Sequence, residues 1–270
     1  MVTVLRPMST GELLDRTFFL YRKHFVLFVG IVAVPYLLLL AFRLGSIGLA
    51  TTGSVGGSVI AIALGAVVYL VALAAAQAAT VVAVSDVHLD RPASISSAYG
   101  AIKGRLLKII FIMIGVWLGT AAGFLLLIVP GIILALAWSL AIPVAVIENQ
   151  GLRGATSRSS TLTKGNRGRI FVVGFLFSVL LYIAAIITQA PVFAVVGLSH
   201  AADPKAIPAW LNVLSVVGDF VSQSLVGPLF TIALALIYYD ERVRKEGFDL
   251  QFMMASLQPP QQNASAAPAS

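Results

Sequence analysis

Six times along this chain a stretch of about sixteen to thirty residues runs with almost no charge. The stretches are Phe25 to Leu44, Val59 to Val84, Leu106 to Val129, Ile132 to Ile147, Ile170 to Gly197 and Ala209 to Tyr239. Helices of that length cross the roughly 30 Å hydrocarbon core of a bilayer, because about 20 residues at 1.5 Å each match it. Only 11% of the residues are charged, against about 25% in soluble domains. So few charges cannot clothe a water-facing surface. The expectation is an all-α fold, a polytopic helical membrane bundle of six spans. A transmembrane barrel would need short alternating segments, which are absent.

Charge then sets the threading. Sixteen of the eighteen Lys and Arg residues fall at the N-terminus, in the second and fourth connections and at the C-terminus. Only Arg43 and Lys205 fall on the other side. Short basic loops stay cytoplasmic, so both termini are expected in the cytoplasm of a bacterial cell, with the chain in its cytoplasmic membrane. The net charge of +7 is spread over these membrane-flanking segments, which argues against nucleic acid as a partner. With no cysteine, disulfides, thiol nucleophiles and Cys-zinc sites are excluded. No cleavable leader pattern is visible before His24.

The organisation expected is an amphipathic N-terminal helix over 1–24, a membrane domain over 25–240, a charged cytosolic segment over 241–254 and a disordered tail over 255–270. Ser9 to Glu12 has the form of a capping box. Leu13, Leu14, Thr17, Phe18 and Tyr21 follow on one helical face, as in a helix lying along the bilayer surface. A second short stripe, Ile95, Ala98, Ile102 and Leu106, is capped by Ser94, and a third, weaker one runs through Leu152, Ala155, Ser159 and Leu162. Pro130-Gly131 marks the turn between the third and fourth spans, and Gly227-Pro228 an interruption of the last. Pro35 is expected to kink the first span, with a neighbouring helix satisfying the carbonyl it frees.

The lead-in segments resemble one another. Ala101 to Arg105 matches Thr161 to Gly165, and Val82 to Asp86 matches Val144 to Glu148. Three units, each a surface helix followed by a two-span hairpin, account for this; so does convergence, since any basic entry to a span tends to look alike.

Candidate functional residues are few. His24, His88 and His200 lack the spacing of metal ligands. No hydrolase, phosphate-binding or metalloprotease motif is present, so no catalytic residue, metal or cofactor is assigned. Asp219 is the lone carboxylate inside a span; counted back from Arg242 it lies near the outer interface, with Arg43 at the same level, which suggests a structural ion pair or simple exposure to water rather than a proton relay. Gln77, Gln189 and Gln223 read as interhelical hydrogen-bond partners. Gly115, Gly119 and Gly123 form two overlapping G-x-x-x-G steps for close helix packing. Arg153, Arg158, Lys164, Arg167 and Arg169 place five cations in one connection, where charge rather than burial would hold the segment against anionic lipid headgroups.

Four segments, STGELLDRTFFLYRKHF, VPGIILALAWSLAIPVAVIE, RSSTLTKGNRGRIF and YYDERVRKEGFDL, resemble the membrane domain found in some glycerophosphodiester phosphodiesterases, and in six-span bacterial proteins that carry this domain alone. The resemblance covers most of residues 5 to 253. It implies the fold and the membrane. In the phosphodiesterases the chemistry belongs to a separate barrel with a His-Arg motif, and no His-Arg pair occurs here. The resemblance therefore implies no phosphodiesterase activity. The functional expectation is a non-enzymatic membrane scaffold, anchor or lipid-interacting module, with the lipid bilayer and further protein chains or a second copy as partners. The alternative is a small transporter or channel.

Overall fold

A computed structural model describes residues 7–50, 55–199 and 209–247. His200, Lys205, the Gly53-Ser54 connection and the expected disordered tail lie outside the described residues. The chain folds into an all-α membrane bundle, and among the described residues there is no strand. The helices are α1 (Thr10–Lys23), α2 (Phe25–Ala50), α3 (Val55–His88), α4 (Ile95–Ile102), α5 (Leu106–Leu126), α6 (Ile128–Ala137), α7 (Ala141–Ile147), α8 (Leu152–Thr163), α9 (Arg167–Ser199) and α10 (Ala209–Glu246). Six stretches are long and apolar enough to cross a bilayer: α2, α3, α5, α6 with α7, α9 and α10. The order is short helix, span, span, three times over.

The most enclosed span, α10, is shared by two cores. One face carries Leu229, Ala233, Ile237 and Tyr238 against α7, α8 and α9. Another carries Ile232, Ala235 and Leu236 against α2, α3 and α4. The Ala-rich stretch of α3 buries Ala74, Ala78 and Ala79, whose small side chains let backbones approach closely. Outward, Val26, Leu38, Ile62, Leu125 and Ile187 are exposed, an apolar surface that only hydrocarbon can cover.

Two boundaries differ from the sequence reading. The turn between the third and fourth spans falls at Leu127, in extended conformation, rather than at Pro130-Gly131. Pro130 sits in the first turn of α6, where a missing N–H removes no helical bond. The last span is continuous through Gly227-Pro228. It also runs past Asp240 to Glu246, so the boundary expected at 240/241 falls inside α10.

The fourth span, expected as one helix, is broken at Trp138-Ser139-Leu140. The break is held by α8. Ser159 donates to the Ala137 carbonyl at 2.7 Å and accepts from the Leu140 amide at 3.1 Å. Thr163 donates to the same carbonyl at 3.3 Å. Ala155, Ser159, Leu162 and Thr163 are buried. Burial and hydrogen bonding therefore hold α8, where the sequence pointed to charge.

The other short helices do the same work. Pro35 has no N–H and so frees the Ile31 carbonyl, four residues back. Tyr99 of α4 donates to it at 2.5 Å. Tyr21 of α1 donates at 2.6 Å to the Leu225 carbonyl, three residues before Pro228. Each short helix thus brings a hydroxyl to the backbone of a span at or beside a proline or a break. A carbonyl left bare in hydrocarbon costs several kcal/mol, so these contacts make the irregularities tolerable.

Repetition extends to the backbone. Lys103-Gly104 and Lys164-Gly165 make the same tight turn, with the lysines at φ −57° and −61° and the glycines at φ +82° and +91°. A left-handed second residue in such a turn requires glycine. The equivalence is therefore Lys103 with Lys164, one residue away from the pairing that the sequence alone suggests. Each hairpin also leaves its second span through a left-handed residue: Asp90 and Asn149 at φ +54°, and Gly247 at φ +58°.

Candidate functional site

The short-helix end of the bundle holds an ionic lattice centred on α10. Asp240 and Glu241 are buried there. Asp240 accepts from the Met8 amide at 2.6 Å and from Arg244 Nε at 2.8 Å, and it pairs with Arg169. Glu241 accepts from Asn166 at 2.9 Å, with Lys245 3.7 Å away. Lys245 also donates to the carbonyls of Thr161, Leu162 and Lys164 at 3.0, 2.5 and 2.6 Å. A cation there complements the negative end of α8. Glu148 accepts from Arg158 at 3.1 Å and from the Tyr238 hydroxyl at 2.9 Å. Arg158 reaches on to Glu246 at 2.5 Å, and Glu246 pairs with Arg242 at 3.1 Å. The hydrogen bond to Glu246, then that to Glu148, raises the Arg158 pKa against the opposing effect of burial. Burial and the neighbouring Lys23 lower the pKa of His24, at the α1–α2 junction.

The five cations expected on one lipid-facing stripe are thus divided. Arg158 and Arg169 are tied into the lattice. Arg167 is half-buried, its Nε without a hydrogen bond. Arg153 and Lys164 are exposed. Five further cations outside the lattice are exposed at the same end: Arg22, Lys23, Arg91, Lys103 and Arg105. Phe18 and Phe19 of α1 are exposed beside them, with Arg16 and Lys23 5.5 and 5.9 Å from the Phe19 ring centre. The expected α1 face is shifted accordingly: Leu13, Thr17 and Leu20 are buried and Phe18 turns outward.

Toward the opposite end, Arg43 and Asp219 come together at 3.1 Å. Gln189 donates to the second carboxylate oxygen at 2.7 Å and exchanges hydrogen bonds with Ser215. A cavity of about 230 Å³ opens beside the pair, lined also by Tyr36, Tyr69 and Gln223.

The glycine stripe of α5 packs within the chain. A side chain at Gly115 would strike Leu152, one at Gly119 the Trp138 ring, and one at Gly123 would meet Leu134 and the Gly131 backbone. Next to Trp138 a second cavity, of about 490 Å³, lies between α3, α5, the broken span and α10. Gln77 lines it. His88 is buried, its ring 5.0 Å from that of Tyr239. Among the described residues no group of three His, Asp or Glu side chains could hold a metal.

The buried acids and the hydroxyl contacts of Tyr21, Tyr99, Ser159 and Thr163 escaped the sequence reading. The prolines and the hydroxyl-bearing faces of the short helices were the available signals.

Fold and site together define an integral, multi-pass helical membrane protein. No protein-family model, curated protein or solved structure matches the chain.

Proposed function

We propose that this protein is a non-catalytic, lipid-engaging module of the bacterial cytoplasmic membrane, with its short helices and both termini on the cytoplasmic side. The observation that carries the reading is a segregation of charge by depth. The Asp240 and Glu241 side chains are fully enclosed and Glu148 and Glu246 are largely so, whereas seven cations outside the lattice are exposed at the same end. Asp15 and Asp90 stay exposed, but with these four acids drawn inward cations outnumber acids on the outer face, which is flanked by exposed phenylalanines. That is the surface an anionic leaflet attracts, at about 1 kcal/mol per cation. The resemblance to the membrane domain of glycerophosphodiester phosphodiesterases supports the membrane part of this reading.

The test uses the full chain, reconstituted in mixed vesicles of phosphatidylglycerol and phosphatidylcholine. Lipids retained after extraction are weighed by native mass spectrometry. Phosphatidylglycerol should be enriched, less so at high salt, and the combined variant Lys103→Gln, Arg105→Gln, Arg153→Gln, Lys164→Gln should lose the enrichment. Equal retention of both lipids, or indifference to salt, would sink the proposal. Because the chain has no cysteine, a single Ser157→Cys variant reports the threading. An impermeant maleimide should label it in intact cells only after lysis.

A further inference from the structure

The cavity beside the broken span differs in chemistry from the basic face. It measures about 490 Å³, within the range of small-molecule sites. None of its lining side chains is charged. It lies at membrane depth: Gln77 is eleven residues before the end of α3, about 16 Å along the helix. Trp117, on its rim, is exposed on the flank of α5, so the cavity is reached sideways from the lipid.

Its walls are apolar except at a few points; of these Ser139 donates to the Leu136 carbonyl at 2.9 Å, and three others lack partners. Thr231 is nine-tenths buried, lines the cavity and has no hydrogen bond among the described residues, nor do Gln77 and Thr120. Hydroxyls such as those of Thr17 in α1 and Thr188 in α9 bond back to their own helix, whereas those of Thr80 in α3 and Ser224 in α10 are buried without a partner but do not line the cavity. An amide and two hydroxyls left bare at this depth are costly. A plain hydrocarbon chain would leave them so. A lipid with a charged headgroup would find no counter-charge, and a hydrophilic solute would lose its hydration to an apolar wall.

We infer that the cavity between α3, α5, the broken span and α10 binds an uncharged, membrane-soluble amphiphile, a hydrocarbon body bearing a hydroxyl or carbonyl that Gln77 and Thr231 hydrogen-bond. The break at Trp138 opens the room and Gly119 lets the Trp138 ring lie against α5. This binding is independent of the basic face, since no residue is shared.

The test is photo-crosslinking of the full chain in phosphatidylcholine nanodiscs by a long-chain alcohol carrying a diazirine, with labelled positions mapped by mass spectrometry. Labelling should concentrate on the segments of α3, α5 and α10 that line the cavity. Hexadecanol should compete for it and hexadecane should not. Gln77→Leu and Thr231→Val should each weaken competition by hexadecanol about five-fold, the worth of one hydrogen bond. Ala135→Phe, which fills the cavity, should abolish cavity labelling while circular dichroism and melting show an intact bundle. Should Ala135→Phe fail to fold, the two conservative variants decide alone. Labelling spread evenly over lipid-facing positions such as Val26 and Ile187, equal competition by hexadecane, or unchanged competition in both Gln77→Leu and Thr231→Val would overturn the inference.

Discussion

The bundle carries a carboxylate–guanidinium pair at each end, and the two are unlike. At the short-helix end the Asp240 side chain is 0% exposed and its partner Arg169 13%. At the other end Asp219 and Arg43 are 43% and 42% exposed. The first carboxylate is met by three donors, from Met8 just before α1, from α9 and from α10 itself. The second is met by one cation and one amide. Attraction between opposite charges scales inversely with the local dielectric, so enclosure makes a pair matter. The buried lattice joins the three repeated units and is expected to govern stability. The exposed pair is expected to trim one loop-bearing end.

Breaking the lattice should therefore have the largest effect. Asp240→Asn keeps the shape but leaves two guanidinium groups without their counter-charge. Removing one partner of a buried pair costs about 3–5 kcal/mol. Asp219→Asn should cost less than about 1 kcal/mol. Unfolding by denaturant in mixed micelles measures both. Equal losses would erase the distinction between the two ends.

Next in size is the contact that holds the broken span. Ser159→Ala orphans the buried Leu140 amide, while Thr163 still reaches the Ala137 carbonyl. An unsatisfied buried amide costs about 1–3 kcal/mol. Hydrogen exchange at Leu140 should accelerate along with the loss of stability. Unchanged exchange there would show that α8 does not stabilise the break.

Hydropathy made the six spans legible, because bilayer thickness fixes the length of an apolar helix. Ser9 and Ser94 made two helix starts legible, and both have the capping-box geometry. The break at Trp138 was not legible. Those residues accept a helix locally, and the cause lies some twenty residues onward, in Ser159. Nor was the enclosure of Asp240 and Glu241: a run of charges after a span reads as solvated, and only tertiary packing shows otherwise. Asp219 drew attention because it is alone in an apolar run, and its distance along the helix from Arg242 put it near the membrane interface. Of the five cations in the fourth connection, helical spacing could not tell that Arg158 and Arg169 turn inward.

A smaller effect sharpens what the short helices contribute. Tyr99→Phe removes the donor to the carbonyl freed by Pro35, and one such bond is worth about 0.5–1.5 kcal/mol. In a Pro35→Ala background residue 35 regains its N–H and can serve Ile31 itself. The tyrosine substitution should then cost almost nothing. Additive losses would mean that Tyr99 acts through packing alone.

The smallest expected effect belongs to the exposed pair, and it tests the comparison most directly. In a double-mutant cycle of Arg43→Gln and Asp219→Asn, the coupling isolates the interaction from each residue's other contacts. Exposed pairs couple by about 0.2–1 kcal/mol. Asp219 keeps its hydrogen bond from Gln189 when Arg43 is gone, which lowers the cost further. Arg43 lies seven residues before the end of α2, near the membrane interface, so the pair is expected to feel ions in the water, whose screening length is about 8 Å at physiological salt. The coupling should therefore shrink as salt rises, while the loss in Asp240→Asn stays nearly constant. A coupling of about 3 kcal/mol that ignores salt is the figure for an enclosed pair. It would place Arg43 and Asp219 in surroundings as dry as those of Asp240, and the two ends would then be held by the same force.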